Sequence, residues 1–142
     1  MIRHVWSVLC QTASFDSLTN SVSLLNTLES IIALGDPNPE HPVLFQAELV
    51  SLWTRKDIDK PVLGKMRVNY TDPNGVDGDH IILDVDLSKT HFHRTRLTIP
   101  GLLIISKGIY TFKIEFQDKD EGQWSLGAEI PLLVVVQQPA QT

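Results

Sequence analysis

The sequence predicts an all-β chain, an antiparallel Greek-key β-sandwich of immunoglobulin- or C2-like style, and three observations carry that prediction. The first is the stretch Gly108-Ile-Tyr110-Thr-Phe112-Lys-Ile114-Glu-Phe116, where Tyr110, Phe112, Ile114 and Phe116 alternate with Thr111, Lys113 and Glu115. A period of two marks a half-buried strand. The second is the Gly-x-Tyr that opens it, just after the apolar run Leu102 to Ile105. A tyrosine so placed predicts a corner in which the hydroxyl bonds back to upstream backbone and pins the passage between sheets. The third is the spacing of breakers, which divides the chain into short apolar segments with almost no helical periods.

Eight strands follow in order. Residues 3–10 form an apolar segment ending at Cys10, and residues 43–53 begin just past the turn-forming Asp36-Pro-Asn-Pro39 and Pro42. Residues 64–71 run to Asp72-Pro-Asn-Gly75, a turn with proline at its second position. Residues 79–87 carry Ile81, Leu83, Val85 and Leu87 on one face; residues 91–99 carry Leu97 and Ile99 with His91, His93 and Thr95. Pro100-Gly101 reads as the next turn, then come 109–117, the breaker Asp120-Glu-Gly122, and 124–136. Residues 21–33 stay ambiguous. Val22, Leu24 and Leu28 suit a strand kinked near Asn26, while Leu24, Leu25, Leu28, Ile31 and Ile32 also fit helical spacing, so a short helical turn past residue 26 stays open. The short connection Ser88-Lys89-Thr90 predicts that 79–87 and 91–99 form a hairpin, with Val85 facing His93 and Asp84 facing Arg94.

The 142 residues fit one domain, 1–142, with 136–142 a loose tail. The single cysteine excludes an internal disulfide and suits a reducing compartment. With no basic-then-apolar leader and no apolar run near the roughly 18 residues of a membrane helix, a cytoplasmic chain without a membrane role is expected. The net charge of −5 is uneven: residues 1–54 hold one arginine against five acids, 55–113 ten bases against seven acids, and 114–142 one lysine against five acids. A modestly basic middle in an acidic chain does not suit nucleic acid, which needs several phosphates neutralised on one face.

The ordered segments resemble a family of small, uncharacterised bacterial β-sandwich proteins. The likeness rests on the opening apolar strand ending at Cys10, the segment Asn20-Ser-Val-Ser-Leu-Leu-Asn-Thr-Leu-Glu-Ser-Ile-Ile32, the turn at 72–75, the Gly-x-Tyr strand and the Pro131-Leu132 step. Asn26 stands where the related sequences often have glycine. The resemblance implies no activity, so no functional residue is carried over from it.

Candidate chemistry is sparse. Asp72, Asn74, Asp77 and Asp79 cluster oxygen donors of the kind calcium needs, although the spacing is not that of an EF-hand and a solvated turn explains them equally. His91 and His93, two apart on a strand, point the same way as zinc ligands do, but lack a third donor on that face; His80 falls on the other. No metal or cofactor is expected. Cys10 reads as a buried, inert thiol, and Ser7, Ser51 and Ser106 stand in apolar surroundings with no nucleophile elbow, so no enzyme is expected. Trp6, Trp53 and Trp124 read as core residues, with Trp124, beside the polar loop 118–123, the one to anchor a partner. The function expected is a non-catalytic module that binds a protein partner or itself through an edge strand, with Trp124 and Arg94 at the interface. A metal-binding module is the alternative.

Overall fold

The computed structural model describes residues 1–118 and 122–137, apart from the side chain of Pro100. Among these residues there is no helix. Nine strands follow one another: β1 (Ile2–Phe15), β2 (Val22–Thr27), β3 (Ser30–Ala33), β4 (Val43–Arg55), β5 (Val62–Thr71), β6 (Ile81–Leu87), β7 (Phe92–Ile104), β8 (Gly108–Asp118) and β9 (Ser125–Val136). They form a four-stranded sheet, β2-β1-β4-β7, and a five-stranded sheet, β3-β9-β8-β5-β6. Every neighbouring pair is antiparallel except β3–β9, which is parallel.

The core lies between the sheets. Leu9, Leu49 and Trp53 come from the first sheet, and Met66, Phe112, Ile114 and Leu132 from the second. Trp53 is fully buried, with the imidazole of His4 at 5.1 Å and the ring of Phe116 at 5.6 Å, both edge-on, and its indole N–H donates to Thr95 Oγ1 at 3.0 Å. A buried indole needs such an acceptor.

The corner at Tyr110 is present. Its hydroxyl donates to the carbonyl of Ser106 at 3.0 Å, in the connection that carries the chain from β7 in one sheet to β8 in the other. Tyr110→Phe is expected to lower the unfolding free energy by about 1–1.5 kcal/mol, one hydrogen bond's net worth. Urea denaturation with an unchanged m-value checks it.

The ambiguous segment is strand on both sides of a kink. Asn26 takes φ of 55°, a left-handed conformation that asparagine tolerates better than most residues, and the chain leaves the first sheet there to enter the second as β3. The helical alternative is thereby removed.

Two expectations need correction. Residues 79–87 and 91–99 are not a hairpin: β6 pairs with β5 in one sheet and β7 with β4 in the other. Asp84 therefore faces Lys65, and Arg94 faces Leu52. A short connection serves equally to turn a chain back within a sheet or to step it across to the opposite one. Pro100-Gly101 is likewise not a turn but part of β7. The register passes from Phe45–Leu102 to Ala47–Ile99, so two residues of β7 oppose one of β4 in a bulge. β7 is an edge strand, where a proline without its N–H is tolerated.

Of the tail expected at 136–142, Val136 belongs to β9, and 138–142 lie outside the described residues. The turn expected at 120–122 falls mostly outside them too.

Candidate interaction surface

The first sheet is curled. Alternation should leave one face of β4 open to solvent, yet Ala47, Glu48, Leu49, Val50 and Ser51 are all buried. What covers the outer face is the β1–β2 hairpin. Cys10, Ala13 and Val50 form a second small core there, with Trp6, Val22 and Leu24 packed against it. The hairpin reaches as far as β7: the ring of Phe15 lies 5.3 Å from the Arg96 guanidinium, and Asn20 Oδ1 accepts a long bond of 3.4 Å from Arg94 Nη1. Cys10 is buried, as its setting predicts, and burial together with the Glu48 carboxylate pushes its thiol up. A thiol held protonated is a poor nucleophile.

Glu48 ties this arrangement together. It is 7% exposed, accepts the Ala13 N–H at 2.6 Å and takes Nε and Nη2 of Arg96 on its other oxygen. Burial raises its affinity for a proton, but the bonds from Arg96 and Ala13 outweigh that and hold the carboxyl below its ordinary range. A lowered folded-state value contributes stability that is present above the unfolded value and lost as pH falls through the folded one. The melting temperature should therefore drop in acid below the ordinary glutamate range. Glu48→Gln should melt lower than the parent at neutral pH and show a shallower acid slope, which calorimetry across pH would read.

His4 Nε2 lies 2.7 Å from Ser7 Oγ, and Ser7 Oγ lies 2.6 Å from Ser51 Oγ. The sequence gives little sign of this polar chain, because it depends on Ser7 and Ser51 coming into register across β1 and β4. Burial pushes the imidazole down, towards its neutral form. The serine hydroxyls satisfy each other and the half-buried His4, which packs edge-on against Trp53 at the margin of the core.

The residues considered for metals are taken up locally. Asp72 Oδ1 accepts the N–H groups of Asn74 and Val76, both at 2.9 Å, and Asp77 Oδ1 accepts the Thr71 hydroxyl at 2.7 Å. Asp79 is exposed beside them. The acid Asp118 is at the other end of the second sheet: it pairs with Gly64, whereas Thr71, at the mouth of the 72–80 loop, pairs with Thr111. His91 lies in the connection before β7, where its carbonyl accepts the Thr54 hydroxyl, and His93 faces Trp53 across the sheet. Among the described residues no three His, Cys, Asp or Glu side chains are grouped to hold an ion.

Trp124 and Arg94 do not share a surface. Trp124 is half-buried just before β9, with the Arg67 guanidinium 4.4 Å from its ring centre and Arg67 Nε bonded to Glu115 Oε1 at 3.0 Å. Met66 and Val68 point into the core, so Arg67 and Trp124 lie on the outer face of the second sheet. Arg94, next to the buried Thr95, lies on the outer face of the first. Its Nε is buried with no hydrogen-bond partner, and no acid pairs with it among the described residues.

The two flanks of the molecule differ. On one, the chain passing from β2 to β3 bridges the sheets, with Leu28 N–H donating to Leu9 O at 2.8 Å and Leu133 N–H to Glu29 O at 3.0 Å. On the other, β6 and β7 are both edge strands. This flank is closed near the 88–91 connection, where Arg55 Nε donates to Leu87 O at 2.7 Å. Farther along it opens into a cleft of about 190 Å3 lined by Val68, Ile81, Leu97, Ile99, Leu102 and Phe112 among others. β7 is the longest edge strand, 13 residues, and β6 has seven.

No helix among the described residues is long and apolar enough to cross a membrane. Neither a protein-family model nor a curated protein matches the chain.

Proposed function

We propose that this chain is a non-catalytic interaction module of the cytoplasm, an immunoglobulin-like Greek-key sandwich that engages a protein partner or itself by strand addition. The topology supports the architectural part. A short strand beside the last one and parallel to it, a five-stranded sheet ordered around β8, and a corner tyrosine at the start of β8 all belong to that pattern. The observation that carries the functional part is the open β6/β7 flank. Its long unpaired backbone edge borders an apolar cleft, and strand addition uses both: backbone hydrogen bonds for affinity, and alternate side chains in pockets for specificity. Nothing in the arrangement of carboxylates or histidines favours the metal-binding alternative over this one.

Native mass spectrometry of the untagged protein, purified from its own host without chelators, tests the reading. A dimer or a stoichiometric co-purifying protein supports it. A bare monomer from gentle purification counts against any constitutive partner and sinks the proposal.

A further inference from the structure

Resting on that reading, we infer that the occupant of the open flank is a second copy of this chain, bound so that β6 of each copy pairs with β7 of the other. The charges on the two edges select this arrangement. Asp84 and Asp86 alternate with the core residues Val85 and Leu87, and so stand on the outer face of β6. Arg94 and Arg96 alternate with Thr95 and Leu97, and stand on the outer face of β7. One edge is acidic and the other basic.

Two twofold arrangements can extend both sheets across this flank. An axis perpendicular to the sheets sets β7 against β7 and β6 against β6, which brings arginines to arginines and aspartates to aspartates. Like charges facing across strands are destabilising. An axis parallel to the strands sets β6 against β7 twice, and each acidic edge then meets a basic one. Such an interface is isologous and closes on itself.

The register follows from the fold. β6 and β7 run in opposite directions on either side of the 88–91 connection, so an axis along the strands keeps each residue at its own height. The pairing nearest to that condition with outer face beside outer face sets Asp84 against the second copy's Arg96, and Asp86 against its Arg94. On the inner face it sets Leu83 against Leu97 and Ile81 against Ile99. Leu97 and Ile99 line the cleft, as does Ile81, which is 46% exposed in the single chain. The two clefts thus close over each other's apolar side chains.

The valences left open also match. Arg96 is already engaged by Glu48, but Arg94 has no acid among the described residues and gives only a long bond of 3.4 Å to Asn20 Oδ1. Both Ser88 bonds to Asp86 fall on Oδ1, leaving Oδ2 for another donor. Asp84 forms no ion pair among the described residues.

The test exploits the reciprocity of the pairing. Sedimentation equilibrium of the parent chain should give twice the 15.9 kDa monomer mass. Asp86→Arg alone and Arg94→Glu alone each set like charges against each other twice, and both should sediment as monomers. An equimolar mixture of the two variants restores opposite charges at both contacts and should return to the dimer mass. A folding defect cannot produce that rescue, and melting curves of each variant confirm the fold separately. A parent chain that stays monomeric at high concentration overturns the inference, as does a dimer unmoved by either reversal or a mixture that fails to reassociate. Any of these removes the second copy from this flank while leaving the interaction reading to stand or fall on its native mass spectrum.

Discussion

Trp53→Ala destabilises the protein by about 3–5 kcal/mol, the largest effect expected of any single truncation here. The side chain is fully buried on β4, between β1 and β7, and its ring touches both sheets through His4 and Phe116. Truncation loses the transfer energy of the largest side chain in the core, leaves a void beside His4 and Phe116 that relaxation fills only partly, and strands the Thr95 hydroxyl that now accepts its N–H. Against a total stability of about 5–15 kcal/mol for a typical domain, such a loss is a large fraction of the whole. Chemical denaturation should show the midpoint collapsing towards zero denaturant. Trp53→Phe, which keeps an aromatic ring but no donor, should recover more than half of the loss. A Trp53→Ala variant within about 1 kcal/mol of the parent would contradict the packing described.

Gly108→Ala is expected to be nearly as damaging, at about 2–4 kcal/mol, for a different reason. Gly108 has φ of 125°, a conformation that residues with a side chain rarely adopt, and an added Cβ would meet Pro73 Cβ at 2.8 Å. Backbone strain and steric overlap therefore act together at one atom. The Gly-x-Tyr motif has two separable parts: the glycine lets β8 begin close under the 72–75 turn, and the tyrosine ties the preceding crossover. Gly108→Ala and Tyr110→Phe should be distinguishable in denaturation, the first by the larger drop. Full parent stability in Gly108→Ala would show that the turn at Pro73 moves away freely.

The strands were legible because period-two alternation is a local property, and Tyr110, Val85 or Leu97 announces its buried face without reference to any partner. Asn26 as a kink was legible too, since asparagine tolerates φ above zero. Which strands pair was not. Leu83, Val85 and Leu87 would alternate in the same way beside β7 as they do beside β5, so the pattern is silent on whether the chain turns back or crosses over. The curl of the first sheet was not legible: Ala47, Glu48, Leu49, Val50 and Ser51 are buried on both faces, yet Glu48 and Ser51 are polar and announce no such burial. For the site, Arg94 was recognisable as a charge in a strand, but its lack of an acid partner depends on Glu48 reaching Arg96 instead, a choice made in three dimensions. Trp124 stands out in the sequence by its place beside a polar loop; the Arg67 guanidinium over its ring was not foreseeable from residues 57 positions apart.

The parallel pairing of β3 with β9 bears on how the protein is made. Residues 30–33 leave the ribosome long before their hydrogen-bonding partners, 133–136. Until then β3 has no sheet to join, and the apolar Ile31 and Ile32 remain an unpaired strand on the nascent chain. Only the β1–β2, β5–β6 and β8–β9 pairings join strands consecutive in sequence; the others must close long loops before they are rewarded. Folding of such a topology falls in the millisecond-to-second range. In refolding, protection of the β3 amides should arrive last, which pulsed hydrogen exchange would read.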